Sequence, residues 1–341
     1  MRKKLKLSVV MAVYNGETYL REAIDSILNQ TFTNFEFIII NDGSTDGTQQ
    51  ILDSYKDPRI IPVHQEHLGF TKSLNNGIAL AKGEYIARQD ADDISMPDRL
   101  EKQIEFLERH KNIALLGTAT KFVDEKGRYL YTIEFSCDHF AIERGMNRQN
   151  HFIHGSVMFK KQYFFELGGY RDFFLTSQDF DLWLRFIENY EVANLSNPLY
   201  KRRITSRSIT LKNIVLQRRM GRFAKLLAKA REKGISENSL IKDLKTFLES
   251  RLSVTEKELI FRNHYHLSKL LLRNNKNEAF LLLEKGIKYH PSKLYKLLFK
   301  ITKIFQSSFL LEMLIRIWTL FHWLKKKTTQ SRTISVYIDK T

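Results

Sequence analysis

Strand-like runs of β-branched and aromatic residues alternate with helical patterns through the first hundred residues of the chain, and this alternation most constrains the possible folds. The predicted elements, strand and helix by turns, are 7–13, 17–29, 35–40, 45–55, 60–63, 71–81 and 85–87. Such a βαβ series with short connections predicts a parallel, doubly wound sheet, in which ligands bind beyond the carboxyl ends of the strands. We therefore expect the functional residues in the loops that follow the strands.

The pattern changes twice along the rest of the chain. Beyond residue 110 the sequence predicts mixed short strands at 114–122, 129–134 and 156–159, with helices at about 138–148 and 178–190. From about residue 211 to 324 it is almost entirely helical in pattern. We therefore predict two domains, an α/β domain over residues 1–207 and an all-helical, basic domain over residues 208–341.

The charge is distributed unevenly between these two parts. Residues 1–200 contain 23 Lys and Arg against 28 Asp and Glu, whereas residues 201–341 contain 32 against 10. The acidic part is compatible with a cation-binding site, and the basic part with an anionic surface such as phospholipid headgroups. The alternative for the basic part is a set of solvated, lysine-rich helices.

Two further features indicate the compartment. The single cysteine, Cys137, cannot form an internal disulfide, so a reducing compartment is the simplest interpretation. No stretch of eighteen uncharged apolar residues exists, and the apolar run at 7–13 is a poor signal peptide. We therefore expect a cytoplasmic protein, peripheral at most to the inner face of the plasma membrane.

The loops after the first two predicted strands suit a nucleotide. Tyr14 presents a flat ring on which a base could stack, and Asp42 places a carboxylate where it could accept from a nucleobase N–H. The alternative is an ordinary helix-capping turn, which accounts for Ser44, Thr45 and Asp46 but gives Asp42 no task.

The loop after the strand that ends near Arg88 carries Asp90, Asp92 and Asp93. Three carboxylates in four residues repel one another unless a cation is present, and hard oxygen ligands suit Mg²⁺ or Mn²⁺ bound together with substrate phosphates. The alternative is a set of charges that complements the dipole of the following helix. We favour the metal, because capping requires one carboxylate.

A third group of residues lies on the predicted helix at 178–190. Asp179 and Trp183 are four residues apart and share a helix face, so a carboxylate that takes an acceptor proton would lie beside an indole platform. Taken alone, this segment reads better as an amphipathic helix whose Leu182, Trp183 and Phe186 face the core.

Together these motifs resemble family 2 of the glycosyltransferases, the inverting enzymes of the GT-A fold. The resemblance covers roughly residues 5–210, and its carriers are the segments 8–15, 41–46, 81–85, 90–93, 167–170 and 178–185. The fold that it implies is a GT-A type doubly wound mixed sheet, followed here by the all-helical domain.

The resemblance also implies roles. Ala12, Tyr14 and Asp42 would contact the base and ribose of a nucleoside diphosphate sugar, with a UDP-sugar the first expectation. Asp90 would contact the ribose or the donor sugar, and Asp92 would bind Mg²⁺ or Mn²⁺. Asp179 would be the catalytic base.

The chain departs from the family pattern in two places. Gln178 stands where an acid often precedes the base, which removes a neighbouring carboxylate. Where many members have Tyr-Arg-x-His, the segment from Arg202 to Thr205 lacks the histidine that could complete the metal sphere. Arg202, Arg203 or Arg207 could bind the diphosphate instead, and Arg203 is our first choice. His154 lies where the family often places an acceptor-side loop.

The sequence favours an enzyme that transfers sugar to a saccharide or lipid-linked acceptor in surface polysaccharide synthesis. The basic, aromatic-bearing helices from residue 293 to 327 fit either an anionic membrane surface or a packed bundle. Their aromatic residues group with aliphatic ones, so nucleic acid is not an expected partner. The competing hypothesis from another class is a non-catalytic, membrane-associated scaffold with a transferase-like domain.

Overall fold

The computed structural model describes residues 5–205, 214–250 and 276–287, together with residues 257, 261, 265, 296, 299, 300 and 313. The chain divides into two compact units. The first comprises residues 1–205 and 216–249, and the second comprises residues 206–215 and 250–341. The two-domain division at residue 207 stays a prediction.

The first unit contains nine strands and ten helices among the described residues. The strands are β1 (Leu7–Val13), β2 (Phe35–Asp42), β3 (Ile60–Gln65), β4 (Tyr85–Arg88), β5 (Ile94–Ser95), β6 (Ile113–Val123), β7 (Tyr129–Ile133), β8 (Met158–Lys160) and β9 (Glu191–Arg203). The helices are α1 (Leu20–Leu28), α2 (Thr48–Ser54), α3 (Phe70–Leu80), α4 (Arg99–Arg109), α5 (His139–Met146), α6 (Lys161–Glu166), α7 (Gln178–Asn189), α8 (Ile214–Glu232), α9 (Asn238–Lys242) and α10 (Leu244–Glu249).

All nine strands form one mixed sheet in the order β3-β2-β1-β4-β8-β6-β9-β5, with β7 paired to β6. The strands β3, β2, β1 and β4 are parallel, whereas β8 is antiparallel to both of its neighbours. The parallel half brings the carboxyl ends of β1, β2 and β4 to one edge, so the loops after Val13, Asp42 and Arg88 open on the same side. The predicted α/β class with a doubly wound mixed sheet is confirmed.

Strand β1 is buried on both faces, as expected for a parallel strand covered by helices. Its alternate residues enter two separate clusters. Val10 and Ala12 pack with Leu74 and Ile78 of α3, while Val9, Met11 and Val13 pack with α1 and α2. Successive side chains of a strand point to opposite faces, so one apolar run supplies both layers of the core.

The long strand β9 is the main element that the sequence analysis missed. Its residues 195–198 interrupt the apolar pattern, and the pairing with β6 shifts register around Thr118 and Ala119. The strand matters for the site, because it brings Tyr200, Arg202 and Arg203 against the loop after β4. Strand β5 and helix α6 were also not predicted, since both are too short to show a period.

The second unit is described only in part. Helix α11 (Lys276–Ile287) buries Ala279, Leu283 and Ile287, and the rings of Phe261 and Tyr265 lie 6.0 Å apart. The proposed interfacial helices over residues 293–327 lie almost wholly outside the described residues. Among the residues that the structure describes, no helix combines the length and the apolar character needed to cross a bilayer.

Candidate active site

An open aromatic platform lies beyond the end of β1. Tyr14 is 48% exposed, and its ring centroid is 4.2 Å from that of His67, with 35° between the ring planes. A nucleobase could extend this stack, because every base has a π face. His67 was not predicted from the sequence. It reaches Tyr14 only through the turn after β3, and no sequence pattern indicates that contact.

Asp42 lies at the end of β2 and organises the turn that carries His67. Only 2% of Asp42 is exposed, and its carboxylate accepts hydrogen bonds from the backbone N–H groups of Leu68 (2.9 Å) and Gly69 (3.0 Å) and from Gln65 Nε2 (2.8 Å). Burial alone would raise the pKa of Asp42, but these donors outweigh it and hold the pKa below its ordinary value. Asp42 is therefore ionised and fixes the platform loop, a task that the sequence did not reveal.

The predicted contacts of Ala12 and Asp42 with the donor stay predictions. Ala12 is 4% exposed and its methyl group belongs to the core, so the surface that it can offer a ligand is backbone. The carboxylate of Asp42 is engaged with protein donors, so its contribution to base binding in this structure is the shape of the loop.

The acidic loop after β4 is held by two arginines. Asp90 Oδ1 pairs with Arg88 Nη2 at 2.7 Å, and Asp93 Oδ1 accepts from the backbone N–H of Arg203 at 2.8 Å. These contacts offset part of the repulsion among the three carboxylates, an effect that we had expected from a bound metal ion alone. The loop thus keeps its shape through protein contacts, and only Asp92 retains the position expected of a ligand.

The carboxyl group of Asp92 is half-buried, and burial together with the neighbouring Asp90 raises its pKa to about 6. A divalent cation would reverse that shift, because it favours the ionised form. Within the described ranges, no cluster of three or more His, Cys, Asp or Glu side chains has the arrangement to hold a metal ion. Mg²⁺ commonly takes only one or two carboxylates and completes its sphere with water and phosphate oxygens, so Asp92 fits a cation of that kind.

Arg203 and Arg202 have different surroundings on β9. Arg203 is 4% exposed, and its guanidinium donates to the carbonyls of Asp92 (3.0 Å) and Glu125 (3.0 Å) and pairs with Glu22. Arg202 is half-buried, its guanidinium carbon lies 5.8 Å from the Phe122 ring centroid, and its charge lowers the pKa of both Asp92 and Asp179. Arg203 is the more buried of the two, and the charges of both arginines lower the pKa of Asp92.

Asp179 lies in the first turn of α7 and is half-buried. Its Oδ2 accepts from Asn150 Nδ2 at 3.2 Å, and burial, opposed by backbone hydrogen bonds and Arg202, raises its pKa to about 6. Asp90 adds to this rise, which brings the two carboxylates into one electrostatic neighbourhood. Asn150, between α5 and β8, is a further site residue that the sequence analysis missed.

The two predicted acceptor-side residues lie deeper than expected. His154 Nε2 is 2.8 Å from the Tyr170 hydroxyl, and burial with the nearby Arg88 lowers the pKa of His154 to about 3, so the ring is neutral. Trp183 has no exposed surface and packs against His154 and Phe159, at centroid distances of 6.2 Å for both. The indole supports the floor of the site, which was our alternative to the platform.

Gly155 lies where the loop before β8 meets the acidic loop. A side chain at Gly155 would collide with the Tyr200 hydroxyl and would lie 2.9 Å from Asp90 Oδ2, so this glycine lets the loop before β8 reach the acidic loop. The Tyr200 hydroxyl also accepts from the backbone N–H of Asp90 at 3.2 Å. Five sequence-predicted residues, Tyr14, Asp42, Asp90, Asp92 and Asp179, thus belong to the loops and the helix start at one edge of the sheet.

Comparisons with known proteins identify the family. A family model described as glycosyl transferase family 2 matches residues 8–168. EpsE of Bacillus subtilis, named as a glycosyltransferase, is 40% identical over 203 residues, which is 58% of this chain and 72% of EpsE. The chain belongs to glycosyl transferase family 2. A second relative, the O-antigen biosynthesis glycosyltransferase WbnJ of Escherichia coli, is 34% identical over 208 residues, or 59% of this chain and 81% of WbnJ.

Solved structures show the same fold. The crystal structure of S. aureus TarS 1–349 aligns with a TM-score of 0.53 at 17% identity, over 83% of this chain and 88% of that one. TarS 1–349 in complex with UDP-GlcNAc also aligns with a TM-score of 0.53, over 83% and 89% of the two chains. At this identity the likeness concerns the fold, and it confirms the GT-A type α/β architecture of this family 2 enzyme.

Proposed function

We propose that the protein is an inverting glycosyltransferase that moves a sugar from a nucleoside diphosphate sugar to an acceptor hydroxyl. The observation that carries the proposal is the convergence at one sheet edge of an open aromatic platform, an acidic loop and an aspartate of raised pKa on a helix start. These are the parts that binding a base, binding a diphosphate and removing a hydroxyl proton require.

In this proposal each residue has a separate task. Tyr14 and His67 contact the base, and Asp42 holds the loop that carries His67. Asp90, fixed by Arg88, binds the ribose or the donor sugar through its remaining oxygen. Asp179 takes the proton of the acceptor hydroxyl while the hydroxyl oxygen attacks the anomeric carbon on the face opposite to the diphosphate. The bond from that carbon to the diphosphate oxygen breaks, the nucleoside diphosphate leaves, and the configuration is inverted.

The pKa of Asp179 suits this task. A carboxylate whose pKa lies at about 6 is ionised at neutral pH and is a stronger base than an ordinary aspartate. The bond that Asn150 donates to Oδ2 orients the carboxylate toward the acceptor. His154 is neutral and stays outside the proton transfer.

Asp92 would hold Mg²⁺ or Mn²⁺ together with diphosphate oxygens. A cation bound there supplies positive charge against the developing charge of the leaving diphosphate. The chain's own contribution at the same place is Arg202, whose guanidinium can donate to diphosphate oxygens. Arg203 instead ties the acidic loop to α1 and β6.

The donor and the acceptor are proposed by class. TarS has been crystallised with UDP and with UDP-GlcNAc, which supports a UDP-sugar, of hexosyl or N-acetylhexosaminyl type, as the donor here. WbnJ is named for O-antigen biosynthesis, which supports a saccharide or lipid-linked acceptor of surface polysaccharide synthesis. Such an acceptor, and the positive charge of residues 201–341, support the proposal that the enzyme acts at the cytoplasmic face of a membrane.

The test is a panel of nucleoside diphosphate sugars with Mg²⁺ or Mn²⁺, in which donor binding and slow donor hydrolysis are measured on the full chain. We expect one donor to be bound and hydrolysed in a metal-dependent way, and Tyr14→Ala to weaken its binding about tenfold because the exposed stacking face is lost. Tyr129→Ala, which removes an exposed ring at β7, is the matched control. If no donor binds with either metal, the transferase proposal fails.

The two adjacent arginines give a second prediction. Arg202→Ala should lower the rate of donor turnover about 10- to 100-fold, because a cation facing the diphosphate is lost, and should lower thermal stability less than Arg203→Ala, because Arg202 is the less buried of the two. Arg203→Ala should lower the melting temperature, because it leaves Glu22 and two carbonyls without their buried donor. Steady-state kinetics and calorimetry on both variants distinguish the roles, and the reverse pattern would restore Arg203 as the donor residue.

A further inference from the structure

Ser177, which immediately precedes helix α7, has an unusual backbone conformation. Ser177 has φ 60° and ψ 20°, and only Asn15 shares a positive φ among the described non-glycine residues. For a residue with a Cβ this left-handed region is unfavourable, and it persists where the surroundings enforce it. Asp179 is the second residue of the helix that starts after Ser177, so the direction of this turn decides where its carboxylate points.

The side chain of Ser177 does not cap its own helix. A serine at this position usually accepts from a backbone N–H of the first turn, and Ser177 makes no such bond. Its hydroxyl instead donates to the carbonyl of Gln217 on helix α8 at 3.0 Å. The Ser177 carbonyl still accepts the first helical bond, from Asp181 N at 3.1 Å. The hydroxyl therefore links the start of α7 to another element of the chain.

Helix α8 runs beside α7 in the same direction. Its first turn is joined to the start of α7 by Gln217 and Ser177, and its last turn is joined to the end of α7 by Arg231, whose Nη2 and Nε donate to Glu188 at 2.7 and 2.6 Å. Between these ends its apolar face enters the core below the site, with Met220, Phe223, Ala224 and Leu227 all buried.

We propose that helix α8 positions the catalytic base, and that the hydrogen bond from Ser177 to Gln217 is the contact through which it does so. The inference rests on the proposed role of Asp179. Ser177 is a positioning residue, which touches neither donor nor acceptor. Helix α8, which follows the last strand of the sheet in the chain, therefore contributes to the geometry of the active site, although the family model ends at residue 168.

The size of the expected effect follows from the geometry. Without the hydroxyl, Ser177 loses its side-chain hydrogen bond to helix α8, and the first turn of α7 can relax. A displacement of about 1 Å at a reacting group can cost up to 100-fold in rate. The proposed donor contacts lie on other elements, after β1, β3 and β4 and on β9, so such a shift should leave them in place. Turnover should therefore fall while donor affinity stays constant.

The experiment compares Ser177→Ala and Ser177→Gly in the full chain, with donor hydrolysis measured over a range of donor concentrations. We expect kcat to fall about 10- to 100-fold in both variants, with the KM for the donor changed less than about twofold. Glycine relieves the backbone strain but lacks the hydroxyl, so full activity of Ser177→Gly would show that the hydrogen bond is dispensable and would overturn the inference.

Arg231→Gln is the matched control on the same pair of helices. It removes the ion pair with Glu188 at the far end of α7, so it should lower the melting temperature and leave kcat within about twofold. An equal loss of kcat in Arg231→Gln and Ser177→Ala would mean general loosening and would also overturn the inference. If the native chain hydrolyses no donor, or if Asp179→Asn retains full activity, the proposed function itself fails. Either result differs from an active native chain whose Ser177 variants have an unchanged kcat, which would overturn only the present inference.

Discussion

Asp179→Asn is expected to lower sugar transfer about 1,000-fold while donor binding is retained. The amide keeps the shape of the side chain and can still meet Asn150, but it cannot take the acceptor proton. Single-turnover transfer and donor titration on the same preparation check both halves of this expectation. The matched control is Asp172→Asn, an exposed carboxylate on the segment that leads to the same helix, which should behave as the native enzyme.

The same residue sets the pH dependence. The base must be ionised, so the rate should rise with pH through about 6, where Asp179 titrates in this structure, and level off above pH 7. Because the folded chain raises this pKa, the ionised carboxylate destabilises the fold at neutral pH, by about 2 to 3 kcal/mol. Asp179→Asn should therefore melt at the same temperature as the native chain or higher at pH 8. A rate independent of pH between 5 and 8 would exclude Asp179 as the base.

Asp92→Ala is expected to abolish metal-dependent donor turnover, with a loss of about 1,000-fold. The physical reason is that Asp92 is the carboxylate of the acidic loop that remains for a cation once Arg88 holds Asp90 and the Arg203 N–H holds Asp93. Binding of Mn²⁺ in the presence of UDP, followed by its electron paramagnetic resonance signal, provides a readout that does not depend on turnover.

Asp98→Ala separates this site from the alternative of helix-dipole compensation. Asp98 precedes α4 directly and its side chain caps no backbone N–H of that helix. If the acidic residues served only the helix, Asp92→Ala and Asp98→Ala would have similar small effects on stability and none on Mn²⁺ binding. We expect them to differ, with Mn²⁺ binding lost only in Asp92→Ala.

The sequence alone determined the α/β alternation, the order of the motifs and the family. These signals are local, because a buried parallel strand, a turn with Asp42 or Asp90 at its end and a helix that starts near Asp179 each occupy a short stretch of chain. The doubly wound topology then places the ends of the parallel strands at one edge without further information. That is why the loops of the candidate site were found before the structure.

The partners and the directions of the side chains depend on how distant segments pack, so they were known only from the structure. The stacking of His67 on Tyr14, the bond from Asn150 to Asp179 and the tie of Ser177 to Gln217 each join residues far apart in the chain. Arg203 lies buried beneath the acidic loop because of its position along β9, since a shift of one residue along a strand reverses the face to which a side chain points. Trp183 and Asp179 lie on the same helix, yet the Trp183 ring is in the core and the Asp179 carboxylate is at the site. This difference depends on what packs against each side of α7.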